Sequence, residues 1–149
     1  MPKVEVREWI EARAEHVYEK LTRMDEFPQI MDNVQSVTIR ERGPGFTVSE
    51  WVAKLKGSQL RWVERDEFFP HEGIIRFHQL EGDLKVFQGE WQVHADGART
   101  EVVLVTEFEF GLPMMAALLN PVARYALRQN GISMVRGIQQ ALTAPQGGS

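Results

Sequence analysis

LPMMAALLNPVARYALRQNGISMVRGIQQAL, Leu112 to Leu142, is the one segment of this chain with sustained helical character. Apolar residues recur at Leu118, Val122, Tyr125, Ile132, Val135, Ile138 and Leu142, in steps of mostly three and four, as one face of a helix requires. Asn120-Pro121 interrupts the run. Proline has no N–H and clashes with the preceding turn, but it suits the first helical position, where an asparagine before it can cap. The spacing therefore predicts a short helical turn from Pro113 to Leu119, a break at Asn120, and a long helix from Pro121 to about Leu142. An apolar helix of this length needs a surface to cover, and that surface must come from the residues before it.

Those residues read as strand. Lys3 to Ile10 alternates Val4, Val6 and Ile10 with charged neighbours. The pattern turns helical through 12–24, with Val17, Leu21 and Met24 on one side, and a second short helix starts near Phe27 and runs to Met31. From Asn33 on, short glycine-containing turns come at regular intervals. RGPG at 42–45, KGS at 56–58, PHEG at 70–73, EGD at 81–83 and ADGA at 95–98 separate VQSVTIRE, FTVSEWVAKL, QLRWVERDEFF, IIRFHQL, LKVFQGEWQVH and RTEVVLVTEFEF. Connections this short join antiparallel neighbours and leave no room for a helical crossover. The alternation puts Trp51, Ala53 and Leu55 on one face, with Phe87, Gly89, Trp91 and Val93, and with Val102, Leu104, Phe108 and Phe110. Glu50, Lys54, Glu90, Glu101 and Glu107 fall on the other. The expected fold class is α+β, ordered β-α-α-β6-α, with a curved antiparallel seven-stranded sheet wrapped around the C-terminal helix. Residues 1–143 form one domain in this reading, and 144–149, APQGGS, have the composition of a flexible tail.

A chain of 149 residues, 43% hydrophobic and 26% charged, is large enough for a proper core. Its net charge of -4 argues against DNA or an anionic membrane as partner. The absence of cysteine removes disulfides, thiolate catalysis and thiolate metal sites. His16, His71, His78 and His94 lack metal-ligand spacing, no nucleotide or hydrolase motif is present, and no cofactor is expected. The charged N-terminus matches neither a signal peptide nor a membrane span, so a cytoplasmic location is expected. Nothing in the sequence sets an oligomeric state.

The order of elements resembles the START-like helix-grip superfamily, and within it the polyketide cyclase/dehydrase and coenzyme Q-binding branch. IEARAEHVYEKL at 10–21, MDEFPQIM at 24–31, LEGDLKVFQGEW at 80–91 and the Asn120-Pro121 entry to the last helix carry the resemblance. It implies a hydrophobic cavity between sheet and helix that admits a small apolar molecule. Aromatase/cyclase members of the family use a serine and an arginine, two apart, on the inner face of a tryptophan-led fourth strand. Here that strand is WVERD at 62–66, with Glu64 and Asp66 at the corresponding places. Val34 stands where some members carry a tyrosine.

Strict alternation puts Glu64 and Asp66 on the face of Leu60, Trp62 and Phe68. A carboxyl group there would have a raised pKa and could act as a base or hold a ligand hydroxyl. The alternatives are an ion pair with Arg76 or Arg65, or a place in water at the sheet's open end. Trp51, Trp62, Phe77, Phe87, Trp91 and Phe108 suit either the walls of a ligand cavity or ordinary core. Met114, Met115 and Leu118 beside the break suit a cavity mouth or gap-filling core, and Val122 and Tyr125 would follow on the cavity wall. No basic cluster accompanies this segment, so stable membrane anchoring is not expected. The first functional expectation is binding of a hydrophobic small molecule: a lipid, a quinone or a polyketide-like compound. An alternative is a polyketide cyclase/dehydratase, with Glu64 or Asp66 as base and Arg76 or Tyr125 positioning a carbonyl. A further alternative is a ribosome- or protein-interaction module.

Overall fold

The computed structural model describes residues 2–55, 58–110 and 113–143, without the side chains of 55, 58 and 113–119. The turn anticipated at 56–58, the tail 144–149 and the side chains of Met114, Met115 and Leu118 fall wholly or partly outside the described residues. Strand β1 (Lys3–Ile10) leads into helix α1 (Ala14–Thr22), a single 3-10 turn at Met24–Glu26, and α2 (Phe27–Ile30). Six strands follow: β2 (Val34–Gly43), β3 (Phe46–Leu55), β4 (Ser58–Phe69), β5 (Ile74–Gly82), β6 (Val86–Asp96) and β7 (Arg99–Glu109). Helix α3 (Pro113–Thr143) closes the chain. The strands form one seven-stranded sheet in the order β1-β7-β6-β5-β4-β3-β2, every neighbouring pair antiparallel. This is the antiparallel meander expected from the alternation and turn spacing, and it has the helix-grip form that the family resemblance implied.

The hairpins turn where the sequence places glycine in the left-handed region, at Gly45 (φ 76) and Gly97 (φ 65), which other residues rarely adopt. Alternation then sends Val4, Val6 and Ile10 of β1, Ile75 and Phe77 of β5, Trp91 and Val93 of β6, and Val102 and Phe108 of β7 into the core. Val17 and Leu21 of α1 are one turn apart and fully buried, and Phe27 of α2 fills the adjoining space. Tyr18 ties α1 to the sheet by donating its hydroxyl to the Ile74 carbonyl at 2.9 Å.

Helix α3 differs from the sequence expectation in two respects. It runs unbroken through Pro121, and Asn120 does not cap a new start, since its Oδ1 has no hydrogen-bond partner among the described residues. Proline deletes one backbone hydrogen bond, and a long helix keeps enough of the others, with its packing, to continue past it. The phase of the buried face is also shifted. Val122 (51% exposed) and Tyr125 (57%) point outward, while Ala123, Ala126, Leu127, Val135 and Ile138 are buried. The inner face begins with small residues because the helix sits close to its neighbours. A β-carbon at Gly131 would lie 3.0 Å from Val6 Cγ2 and 3.3 Å from Leu104 Cδ2, and one at Gly137 would overlap the Ile30 carbonyl oxygen. Helix α3 is thus seated on β1 and β7 at one glycine and on α2 at the other.

Gly137→Ala adds the helix propensity of alanine, worth about 1 kcal/mol, but forces a methyl group into backbone, and overpacking of this kind costs about 1–3 kcal/mol or more. Because the obstacle is a carbonyl that cannot rotate away, urea unfolding should show a net loss of stability for Gly137→Ala. Val122→Ala, on the exposed face, should stay within about 0.5 kcal/mol of the parent. A stabilised Gly137→Ala would contradict this seating of α3.

Candidate functional site

With α3 held against β1 and β7, the concave face over β3 to β6 keeps a cavity. Aromatic side chains supply most of its wall: Trp51, Trp62, Phe77, Phe87 and Trp91, with Leu104, Leu127 and Met134 completing the apolar lining. Trp51 and Trp62 stack, with centroids 5.5 Å apart and planes at 12°, and Phe87 meets Trp62 edge-on at 5.0 Å. The atom-free space amounts to about 530 Å³, of which about 60 Å³ is open to the centre of a water molecule. Asn33, Glu64, Thr106 and Asn130 are the polar residues on this wall.

The carboxyl groups on β4 are buried. Glu64 is 4% exposed and Asp66 is 0% exposed. Neither of the ordinary explanations offered by the sequence applies. Arg65 pairs with Glu67 at 3.7 Å and lies over the Phe46 ring, and Arg76 pairs with Glu90 at 3.3 Å on the outer face. The partners are uncharged instead. Trp62 Nε1 donates to Glu64 Oε1 at 2.7 Å. Ser49 Oγ and Thr47 Oγ1 donate to Asp66 Oδ2 at 2.8 and 3.1 Å, and Trp51 Nε1 donates to Ser49 Oγ at 2.8 Å. Inward residues of β3 and β4 thus form one relay, Trp51 to Ser49 to Asp66, beside the Trp62–Glu64 bond.

Burial pushes the Glu64 carboxyl well above the ordinary range, and the neighbouring Asp66 charge and a hydrogen bond to Asp66 push it further, against the Trp62 donor. Burial also raises Asp66, but hydrogen bonds from Glu64, Ser49 and Thr47 and the charge of His78 oppose the rise. The two carboxyl groups are neighbours on the inner face of β4, so they do not both ionise readily. Asp66, with its two hydroxyl donors, is the better placed to carry a charge, and Glu64 is the group pushed further toward its neutral form. Glu64 faces the cavity, and Asp66 stands behind it, outside the lining.

The other anticipated residues divide cleanly. Trp51, Trp62, Phe77, Phe87, Trp91 and Glu64 meet around one space. Phe108 does not reach it and packs edge-on against Phe110 at 5.9 Å as core. Val122 is outside, and Tyr125 lines a separate outer groove with Asp32, Lys54 and Gln129. Arg76 is on the wet face, so neither it nor Tyr125 can position a carbonyl beside Glu64. Sequence reasoning missed Asn33, Asn130, Ser49 and Thr47. Ser49 and Thr47 continue the inward alternation of Trp51 and Ala53 toward the start of β3, and Asn130 is a polar residue on the buried stripe of α3, so a signal existed for each.

Comparison with known proteins agrees with this geometry. A family model described as polyketide cyclase/dehydrase and lipid transport matches residues 10–135, and the chain belongs to that family. It is 27% identical, over 92% of its length, to the actinorhodin polyketide synthase bifunctional cyclase/dehydratase of Streptomyces coelicolor, and it spans 48% of that relative. Among solved structures it is similar to TTHA0849 from Thermus thermophilus (28% identity, TM-score 0.90, 96% of this chain and 98% of the other). The Zhui aromatase/cyclase from a Streptomyces species shares the fold at 20% identity (TM-score 0.89, 99% and 98% covered), as does a START superfamily protein from Mycobacterium smegmatis at 17% (0.80, 95% and 99%). No helix among the described residues is long and apolar enough to cross a membrane.

The raised Glu64 pKa fixes the sign of a pH effect. From about pH 4.3, where an unfolded glutamate ionises, up to the raised folded value, the folded chain holds a proton that the unfolded chain has lost. This part of the stability is complete below that window and declines as pH rises through it. Glu64→Gln keeps an oxygen for Trp62 and an N–H for Asp66 and has nothing to titrate. Its melting temperature relative to the parent should therefore climb with pH across the window. Parallel melting curves from pH 4 to 8 would mean that Glu64 is not held protonated.

Proposed function

We propose that this protein binds a flat, oxygen-bearing hydrophobic molecule of polyketide type in the cavity between the sheet and α3. The observation that carries the reading is a buried carboxyl group, Glu64, set into an aromatic wall. Stacked and edge-on rings favour a planar unsaturated body, and a neutral acid in an apolar site donates to a ketone or quinone oxygen without the desolvation cost of a charge. The cyclase/dehydratase relative supports a polyketide-related ligand over a simple fatty chain. Because Trp51, Trp62 and Trp91 line the space, ligand entry should quench tryptophan emission. Titration with 9,10-anthraquinone should give saturable quenching and a one-to-one complex in native mass spectrometry. Glu64→Leu should weaken binding about tenfold, the worth of a hydrogen bond from a buried donor, and Glu64→Gln much less. Absence of saturable quenching in the parent protein would remove this reading.

A catalytic role is favoured by one further feature: Glu64 and Asp66 are two neighbouring buried carboxyl groups, and such a pair with one group neutral and one ionised supplies an acid and a base in a single unit. Acting on a β-hydroxyketone, Glu64 gives its proton to the departing hydroxyl, which leaves as water. The α-carbon gives up a proton to the pair as the carbon–carbon double bond forms, and the pair ends in its starting state. If dehydration occurs here, Glu64→Gln should abolish water loss from a bound β-hydroxyketone while leaving its affinity nearly unchanged. Turnover persisting in that variant would limit the protein to binding.

A further inference from the structure

The cavity has a second polar feature, away from the carboxyl pair. Asn33 sits between α2 and β2, and its backbone carbonyl accepts from Lys54 N at 2.7 Å, which anchors it beside the end of β3. Its side-chain oxygen and nitrogen are both buried, and neither has a hydrogen-bond partner among the described residues. Asn130, from the facing side of α3, has a buried Oδ1 in the same condition. Both residues line the inner cavity and also the outer groove that contains Lys54 and Gln129, so they stand in the wall between the two.

A buried amide atom without a partner is costly, and asparagine at such a place is explained when something other than the protein completes it. We propose that Asn33 and Asn130 form a specificity subsite that reads a free hydroxyl group at one end of an elongated aromatic ligand. The inference rests on the ligand-binding function proposed above. The chemistry follows from the inventory of atoms. A hydroxyl oxygen accepts from the Asn33 amide nitrogen and donates its one proton to an amide oxygen of Asn33 or Asn130. Neither residue carries a charge, so the subsite suits a neutral phenol, enol or hydroxyketone and gives no counterion to a carboxylate or phosphate.

Register sets the length. Glu64 pairs with Ser49 on β3, whereas Asn33 is bonded to Lys54, five residues further along the same strand. At about 3.4 Å per residue, the two anchors are about 17 Å apart along β3. A molecule that reaches both polar ends must therefore be several fused rings long with oxygen at each end. A fatty acid or an isoprenoid with a single polar head meets one end and leaves the other unpaired.

Two probes test this: 2,6-dihydroxyanthraquinone, which carries a free hydroxyl at each end of its long axis, and anthracene, which has the ring body and no oxygen. Asn33→Leu should reduce affinity for the dihydroxyanthraquinone about tenfold or more while leaving anthracene affinity little changed. With unpaired amide atoms replaced by carbon, the ligand-free variant should melt at the same temperature as the parent or higher, which loss of a structural hydrogen bond would not produce. Asn130→Leu gives the same comparison should Asn33→Leu fail to fold. Equal weakening of both probes, or unchanged binding of the dihydroxyanthraquinone, would overturn the subsite. Should the parent bind neither probe, the ligand-binding reading itself falls and the subsite with it; binding of both, with no effect of either substitution, removes the subsite alone.

Discussion

The position of α3 against one side of the sheet is the constraint on which the remaining structure depends. Two glycines set it: Gly131 brings the helix onto Val6 and Leu104, and Gly137 brings it onto the carbonyl of Ile30. A straight helix meets a twisted sheet along a limited line, and close approach at one edge leaves the opposite part of the concave face uncovered. Ala123 and Ala126 extend the small-residue side of the helix. The aromatic side chains of β3 to β6 project into the remaining space, and it is their bulk that keeps the space from being larger.

The polar residues within that aromatic wall follow a different logic from the core around them. Trp62 and Trp51 bury large rings and need acceptors for their indole N–H groups, and Glu64 and Ser49 supply them. An amide or hydroxyl would serve the same purpose without a charge. A carboxyl pair in that place loses stability to burial. The Ser49 and Thr47 bonds to Asp66 make the arrangement asymmetric, favouring a charge on Asp66 over one on Glu64, which faces the cavity.

Most of the fold was legible because period-2 alternation and glycine turns are local signals that the sheet then satisfies in register. The burial of Glu64 and Asp66 was legible for the same reason: they share parity with Trp62. Helix α3 was harder to read. Its apolar residues occur on more than one side, so the run through Val122 and Tyr125 competed with one through Ala123, Ala126 and Leu127, and small residues carry little hydrophobic weight although they are the ones in contact. Pro121 strengthened the wrong choice, since propensity argues for a helix start and only packing keeps the helix continuous. Asn33 could not be found from the sequence. An asparagine between a helix and a strand is ordinary turn chemistry, and its significance lies in the wall it shares with Asn130.

The size of the cavity bears on how a ligand is accommodated. A cavity of about 60 Å³ is well below the space a multi-ring molecule occupies. The difference has to come from side chains that can move without breaking hydrogen bonds. The tryptophans are poor candidates, because Trp51 and Trp62 are held at both ring and N–H. Leu127 and Met134 of α3 are better ones. They cover the cavity from the helix side, carry no polar bond, and in the case of methionine repack at low cost. The ligand binding proposed above would then be an adjustment of the α3 face against a rigid aromatic and carboxyl wall, with the glycine contacts at 131 and 137 holding the helix axis in place while its side chains yield.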